Sequence, residues 1–154
     1  MDKHPLNIFI LLGLYLFMRT FIALDLGKEI VDEIVRIQKL LRKNALFNGK
    51  FTEGVNLHLT LKFLGEINED KISDIKEKLS EIKISEFEVE LGNIGVFSKK
   101  HPRIIWVKLN GKGVFQLQKA VDEKLKDLFD RGERFMSHIT IARVRDVGDE
   151  KGLI

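Results

Sequence analysis

The sequence lacks cysteine and contains only two prolines, one tryptophan and one tyrosine among its 154 residues. Without cysteine there is no disulfide framework, no thiolate nucleophile and no cysteine-ligated metal cluster. A strong charge bias is also absent, since the formal net charge is only +3. That balance suits a phosphate-bearing ligand but lacks the dense positive stripe of a protein that binds duplex nucleic acid.

The length and composition indicate one globular domain, with 44% hydrophobic and 32% charged residues. The exception is an uncharged run of 13 residues at 6–18. This run is shorter than the ~20 residues that cross a bilayer, and no small-residue cleavage site follows it. We therefore expect a domain over 18–154 preceded by an apolar extension over 1–17. The extension is interpreted as an over-extended start site or, alternatively, as a membrane-touching anchor.

Hydrophobic spacing predicts three amphipathic helices alternating with five strands. The first helix carries its apolar stripe on Ile30, Ile34, Ile37 and Leu41. Asn48 and Gly49 indicate a turn after it, and Asn68 is a candidate N-cap for the second helix. The predicted strands cover residues 19–26, 55–63, 87–97, 102–110 and 136–144, and the predicted helices cover residues 28–46, 68–82 and 114–128.

An unusual polar pair lies in the second strand, NLHLTLKFLG. Side chains alternate across a strand, so His58 and Thr60 should share one face. We expect Asn56 and Lys62 to lie on that face and the following residues to point the other way: Val55, Leu57, Leu59, Leu61 and Phe63. The same pattern returns in MSHITIARV, where His138 and Thr140 oppose Ile139 and Ile141.

The repeat uses two of the four histidines and two of the four threonines in the chain. We interpret the two motifs as halves of one composite site, and the alternative is two unrelated polar pairs on sheet faces. The segments HLTLKFLGE and SHITIARV resemble the paired His-x-Thr-x motifs of the two-histidine (2H) phosphoesterase superfamily. The resemblance is to its LigT-like RNA 2′,3′-cyclic phosphodiesterases, also called 2′-5′ RNA ligases. It extends through MRTFIALDL, GVF and PRIIWVKL, from Met18 to about Val147.

This resemblance implies an α+β fold that is bilobal, with a pseudo-two-fold pair of antiparallel sheets flanking a cleft and helices on the outer faces. Each lobe would contribute one motif. It also implies an enzyme that opens the 2′,3′-cyclic phosphate at an RNA end, such as that of a tRNA fragment, and leaves a 2′-phosphate. The resemblance implies reverse 2′-5′ RNA ligation as a second activity, and a cytoplasmic location is expected.

The chemistry of a cyclic phosphate suits two histidines. A base must take a proton from water and an acid must give one to the departing ribose oxygen, and imidazole titrates near neutrality. The resemblance implies His58 as the acid and His138 as the base. The hydroxyls of Thr60 and Thr140 are expected to donate hydrogen bonds to phosphate oxygens as charge builds.

Arg143 lies five residues after His138, where the resembled family often has a phosphate-binding arginine. Strand parity alone would point it with Ile139 and Ile141, away from the histidine, unless a bulge redirects it. A surface salt bridge is the other interpretation. Lys62 shares the predicted His58 face, and there an exposed lysine is the favoured interpretation over a phosphate ligand.

Three aromatic residues are weighed as part of the site or of the core. Phe51 and Phe97 could stack on an RNA base. The core is the favoured interpretation for both, and Trp106 is also assigned to the core.

A metal-dependent phosphodiesterase is the first rival. The sequence has no His-x-His, no HExxH and no aspartate cluster near either motif, so neither metal nor cofactor is expected. The second rival is a non-catalytic or weakly active protein that binds RNA ends. It arises because the resembled family usually continues past the position of Ile154, so the C-terminal lobe is expected to be incomplete. The sequence leaves the oligomeric state open.

Overall fold

The computed structural model describes residues 8–10, 18–98, 100–132 and 134–147, and forms an α+β fold. The described elements are β1 (Ile8–Ile10), β2 (Met18–Asp25), α1 (Lys28–Lys43), β3 (Phe47–Phe51), β4 (His58–Ile67), α2 (Glu69–Ser80), β5 (Glu90–Phe97), β6 (Ile104–Asn110), α3 (Lys112–Leu125) and β7 (His138–Val147). Strands β1, β2 and β4 form one sheet in that order, and β3, β7, β6 and β5 form the other. Each sheet carries one His-x-Thr-x motif, on β4 and on β7, as expected.

The chain divides into two compact units. The first contains Met1–Asp25, Thr60–Val89 and Gly111–Ser137, and therefore most of the three-stranded sheet with α2 and α3. The second contains Leu26–Leu59, Glu90–Asn110 and His138–Ile154, with α1 and the four-stranded sheet.

Only part of the apolar extension is described. The backbone of Ile8–Ile10 pairs antiparallel with β2, with Ile8 opposite Leu24 and Ile10 opposite Ile22. Residues 1–7 and 11–17 lie outside the described residues, so the assignment of 1–17 as a separate extension stays a prediction. None of the described helices is both long and apolar enough to cross a bilayer.

In the first unit, α2 and α3 each bury one apolar face. The Asn68 side chain accepts a hydrogen bond from the Lys71 backbone N–H, which confirms the N-cap of α2. The buried apolar residues are Ile72, Ile75 and Leu79 of α2 and Val114, Leu117, Val121 and Leu125 of α3.

The predicted strand at 87–97 was too long, because β5 begins at Glu90. A Cβ on Gly113 would lie 2.0 Å from the Phe87 ring, so this ring packs directly on α3 rather than in a sheet.

Lys62 corrects a second expectation. It is only 6% exposed, and its Nζ lies 2.6 Å from Asp122 Oδ1 on α3 and 2.8 Å from the Asp130 carbonyl oxygen. Gln118 Nε2 donates to the other carboxylate oxygen of Asp122 at 2.6 Å. A buried charge is tolerable when it is paired and hydrogen-bonded, so Lys62 ties β4 to α3 and is not the exposed lysine that alternation favoured.

The predicted turn at Asn48 and Gly49 is wrong, because these residues belong to β3, which pairs with β7. A Cβ on Gly49 would lie 2.2 Å from the Arg143 carbonyl oxygen. Glycine is therefore required by the close approach of two backbones at a register shift between Asn48 and Gly49. In this case glycine marks an irregular strand pair, not a turn.

The alternation predicted for the first motif holds only at its centre. Leu57, Leu59 and Leu61 are buried, whereas Val55, in the 3₁₀ turn Gly54–Asn56, is 91% exposed and Phe63 is 75% exposed. Burial changes phase after Leu61, so the outward residues beyond it are not those that simple alternation predicts. The second motif shows the same change after Ile141.

Candidate active site

His58 opens strand β4, separated from the 3₁₀ turn only by Leu57, and its side chain is half-buried. Nδ1 lies 2.8 Å from the backbone carbonyl oxygen of Asn56. A carbonyl oxygen can only accept, so Nδ1 must carry the hydrogen. This contact sets the orientation of the ring and its tautomer.

His138 opens strand β7, opposite Lys108 of β6, and is half-buried like His58. The Phe97 ring meets the imidazole at 89°, with the ring centroids 4.9 Å apart. Phe97 also lies 5.7 Å from the Trp106 ring. Phe97 was expected to lie in the core. It is only half-buried, and its ring packs against a predicted catalytic histidine.

Trp106 was assigned to the core, and the structure corrects this. Ile105, Val107 and Leu109 form the buried face of β6, whereas Trp106 is directly opposite Thr140. A Cβ on Gly95 would lie 2.3 Å from the Trp106 ring, so glycine is what allows the ring to lie across β5. Partners directly opposite in a ladder share a face, so Trp106 stands on the face of Thr140 and His138.

The two threonines are buried to a similar degree. Thr60 and Thr140 are each half-buried, between two fully buried neighbours. Thr140 shares its sheet face with His138 in the second unit, which also contains His58. Thr60 follows His58 on β4 and belongs to the first unit.

Arg143 differs from the direction that parity alone predicts. Trp106 pairs with Thr140 and Ile105 with Ala142, so Ile141 has no opposite residue in β6. This is a β-bulge, in which one extra residue resets the alternation. Ala142 takes a buried position at 0% exposure, and Arg143 is exposed. Arg143 therefore returns to the sheet face of His138 and Thr140.

Arg143 lines a shallow pocket in the second unit, together with residues in and around β3 and the 3₁₀ turn. The pocket is lined by Lys50, Phe51, Thr52, Glu53, Asn56 and Arg143. Lys50 is directly opposite Arg143 in the strand pair, and its Nζ lies 4.0 Å from Glu53. Asn56 belongs both to this pocket and to the hydrogen bond that orients His58. Two cations thus line an open pocket, and its residue Asn56 also orients His58.

Phe51 lines the same pocket while it contacts neighbours on its other side. Its ring lies 5.3 Å from that of Phe47, and the Arg42 guanidinium carbon stands 4.8 Å from its centroid. The ring is half-buried, so it is part of a local cluster and also part of the pocket wall.

Comparison with known proteins identifies the family of this chain. The sequence profile described as LigT like phosphoesterase matches residues 24–106, just over half of the chain. The chain belongs to the LigT-like phosphoesterase family. The RNA 2′,3′-cyclic phosphodiesterase of Methanocaldococcus jannaschii is 33% identical over 138 residues, which cover 88% of this chain and 77% of that protein. The enzyme of the same name from Archaeoglobus fulgidus is 37% identical, covering 83% of this chain and 73% of that protein.

Solved structures give the same family. The protein TT0787 of Thermus thermophilus superposes with a TM-score of 0.74 at 25% identity, over 86% of this chain and 77% of that one. Escherichia coli LigT, solved in complex with 3′-AMP, gives a TM-score of 0.65 at 25% identity, over 86% and 75%. The expected α+β fold with two antiparallel sheets is therefore confirmed for this LigT-like phosphoesterase.

Sequence reasoning missed one buried polar residue of this phosphoesterase, which hydrogen-bonds to the pocket residue Thr52. Gln38 lies on α1, four residues after Ile34, and the two are the residues of this helix that are buried. A polar amide in line with an apolar stripe was the available signal, because a buried amide needs hydrogen-bond partners from the structure it faces. Its partners are the backbone carbonyl oxygens of Thr52 and Ile141.

The described part of the chain contains no group of three or more His, Cys, Asp or Glu side chains placed to hold a metal ion. In the same part, the indole Nε1 of Trp106 is buried without a hydrogen-bond partner.

Proposed function

We propose that the protein hydrolyses the 2′,3′-cyclic phosphate at the end of an RNA, with His58 and His138 as general acid and base. One observation carries the proposal: both His-x-Thr-x motifs begin a strand and share one burial pattern, with histidine and threonine half-buried around a buried apolar residue. Family membership supports the reaction class, because relatives in M. jannaschii and A. fulgidus are named RNA 2′,3′-cyclic phosphodiesterases.

In the proposed reaction, His138 takes a proton from water as the water oxygen attacks phosphorus. The bond from phosphorus to the ribose 3′ oxygen breaks, and His58 gives this oxygen a proton from Nε2. The product carries a 2′-phosphate and a 3′ hydroxyl. The hydrogen bond from Nδ1 to Asn56 supports the role of His58, since it directs the other ring nitrogen toward the exchange. With an RNA 5′ hydroxyl as the attacking group in place of water, the same steps form a 2′-5′ phosphodiester and release the 3′ hydroxyl, which is 2′-5′ ligation.

Three further groups would stabilise the charge that grows on the non-bridging phosphate oxygens. The hydroxyls of Thr60 and Thr140 donate from beside the histidines, and the Arg143 guanidinium supplies positive charge and up to two parallel donors. Removing one donor from such a site typically costs ~10²–10³-fold in turnover. All the groups in this scheme are side chains, so it needs neither metal nor cofactor.

The test is the identity of the product formed under chelation. Purified protein is incubated with a short RNA ending in a 2′,3′-cyclic phosphate and an excess of EDTA, and the product is identified by phosphorus NMR. The proposal predicts steady accumulation of the 2′-phosphate. Accumulation of the 3′-phosphate would overturn the leaving-group assignment. Loss of activity in EDTA, restored by a divalent metal, would favour a metal-dependent enzyme, and binding without turnover would favour an RNA-end-binding protein.

A further inference from the structure

The side-chain amide of Gln38 connects helix α1 to two strands of the four-stranded sheet. Nε2 donates to the Thr52 carbonyl oxygen at 2.8 Å and to the Ile141 carbonyl oxygen at 2.8 Å. Both partners can only accept, so the orientation of the amide is fixed with its nitrogen toward the sheet. The residue is only 7% exposed, and both contacts are therefore shielded from water.

The two carbonyl groups lie at the bulge in β7. Ile141 is the residue without an opposite partner in β6, and its carbonyl oxygen also accepts from the Thr52 backbone N–H at 3.0 Å. Regular pairing between β3 and β7 ends at Phe51, opposite Ala142. Gln38 thus holds the point at which β3 leaves the sheet and β7 carries its extra residue.

This bulge decides the direction of Arg143. With unbroken alternation, Arg143 would share the buried face of Ile139. The extra residue at Ile141 instead returns Arg143 to the face of His138 and Thr140, where it lines the pocket with Asn56. A bulge interrupts the ladder and leaves local backbone groups to be paired by other means. The Gln38 amide pairs the Thr52 carbonyl oxygen and adds a second donor to the Ile141 carbonyl oxygen.

We propose that Gln38 is a positioning residue for phosphate binding, because it fixes the bulge that directs Arg143 into the site. This inference rests on the proposed function. Gln38 would act only through the backbone at Thr52 and Ile141 and would not touch the substrate.

The experiment compares Gln38→Met with wild type on an RNA ending in a 2′,3′-cyclic phosphate. Methionine keeps the length of the side chain but donates no hydrogen bond. We expect KM to rise about tenfold with a smaller change in kcat, because a hydrogen bond to a charged group is weakened in the bound state. Ile34→Val is the matched control, since it trims the other buried residue of α1 without touching the bulge.

A double-mutant cycle separates positioning from a general loss of stability. Arg143→Ala alone should raise KM about ten- to a hundredfold. In that background, Gln38→Met should add little, because the residue through which Gln38 acts is already gone. If the two effects multiply, or if Ile34→Val raises KM as much as Gln38→Met, Gln38 is only a structural residue and the proposal is overturned.

Amide hydrogen exchange at Thr52 distinguishes failure of this inference from failure of the proposed function. The Thr52 amide should exchange faster in Gln38→Met than in Ile34→Val, whether or not the protein turns over RNA. Faster exchange in a protein whose wild type is inactive would refute the proposed function and with it the role in phosphate binding, while supporting the part Gln38 plays in the bulge. Unchanged Thr52 exchange would refute the inference itself.

Gln38→Leu provides a second variant should the methionine form not fold. Leucine suits a buried helix position and donates no hydrogen bond. Its KM should rise as expected for Gln38→Met, and a folded Gln38→Leu protein with the KM of wild type would contradict the proposal.

Discussion

At the residue scale, His58 and His138 occupy equivalent places, each as the first residue of a long strand. Their surroundings nevertheless differ. The backbone at Asn56 orients His58 through Nδ1, whereas the ring of Phe97 packs against His138. Two rings held in different environments can serve as different partners in one proton exchange, which is what an acid and a base require.

The assignment of these roles predicts a response to the leaving group. A substrate with sulfur in place of the 3′ oxygen needs no acid, because a thiolate leaves without a proton. We expect His58→Ala to be strongly impaired on the oxygen substrate and close to wild type on the sulfur substrate, when turnover is followed by release of thiol. His138→Ala should be impaired on both. The reverse pattern would exchange the two roles.

At the element scale, the Lys62–Asp122 ion pair fastens β4 to α3. The two side chains are only 4% and 16% exposed. Removing one partner of a buried pair leaves the other charge uncompensated and typically costs 3–5 kcal/mol. We predict that Asp122→Ala lowers the free energy of unfolding by ~3 kcal/mol in urea titrations. A double variant that replaces both partners with apolar residues should lose less, and a loss below ~1 kcal/mol for Asp122→Ala would contradict the role of the pair.

The contribution of the exposed Glu81–Lys124 ion pair to stability should depend on pH and salt. Lys124 donates a hydrogen bond to Glu81 and, with its positive charge, lowers the pKa of that carboxyl from the ordinary 4.5. The folded state therefore gains stability from this group above pH 4.5 and loses it as pH falls through the lowered value. Glu81→Gln should melt slightly below wild type at neutral pH and low salt. The difference should vanish well below pH 4.5 and in high salt. A difference that persists in acid would refute this contribution.

Some features of the helices and strands could be predicted from the sequence, and others could not. Asn68 is recognisable as a cap, and the stripes of α2 and α3 are recognisable as buried faces, because both depend on spacing within one helix. The meaning of Gly49 depends on the partner strand, where the Arg143 carbonyl oxygen approaches it. The bulge at Ile141 likewise exists only relative to β6. The direction of Arg143 and the role of Gln38 could not be read without those partners.

At the scale of the whole molecule, the proposed reaction joins a histidine from each sheet with opposite protonation states. Acid would protonate the base and alkali would deprotonate the acid, so kcat/KM should fall on both sides of an optimum. Each limb should fall by about tenfold per pH unit. A profile that rises to a plateau at high pH without falling would show that no protonated acid is needed, and would contradict the scheme.

The most direct test of the central claim is the turnover of three histidine variants on an RNA ending in a 2′,3′-cyclic phosphate, measured in EDTA. His101 is exposed in the loop between β5 and β6, outside both motifs, and serves as the matched control. We predict that His58→Ala and His138→Ala each lower kcat by at least ~10²-fold, while His101→Ala stays near wild type. Near-normal turnover by either motif variant, with the fold intact by circular dichroism, would contradict the account.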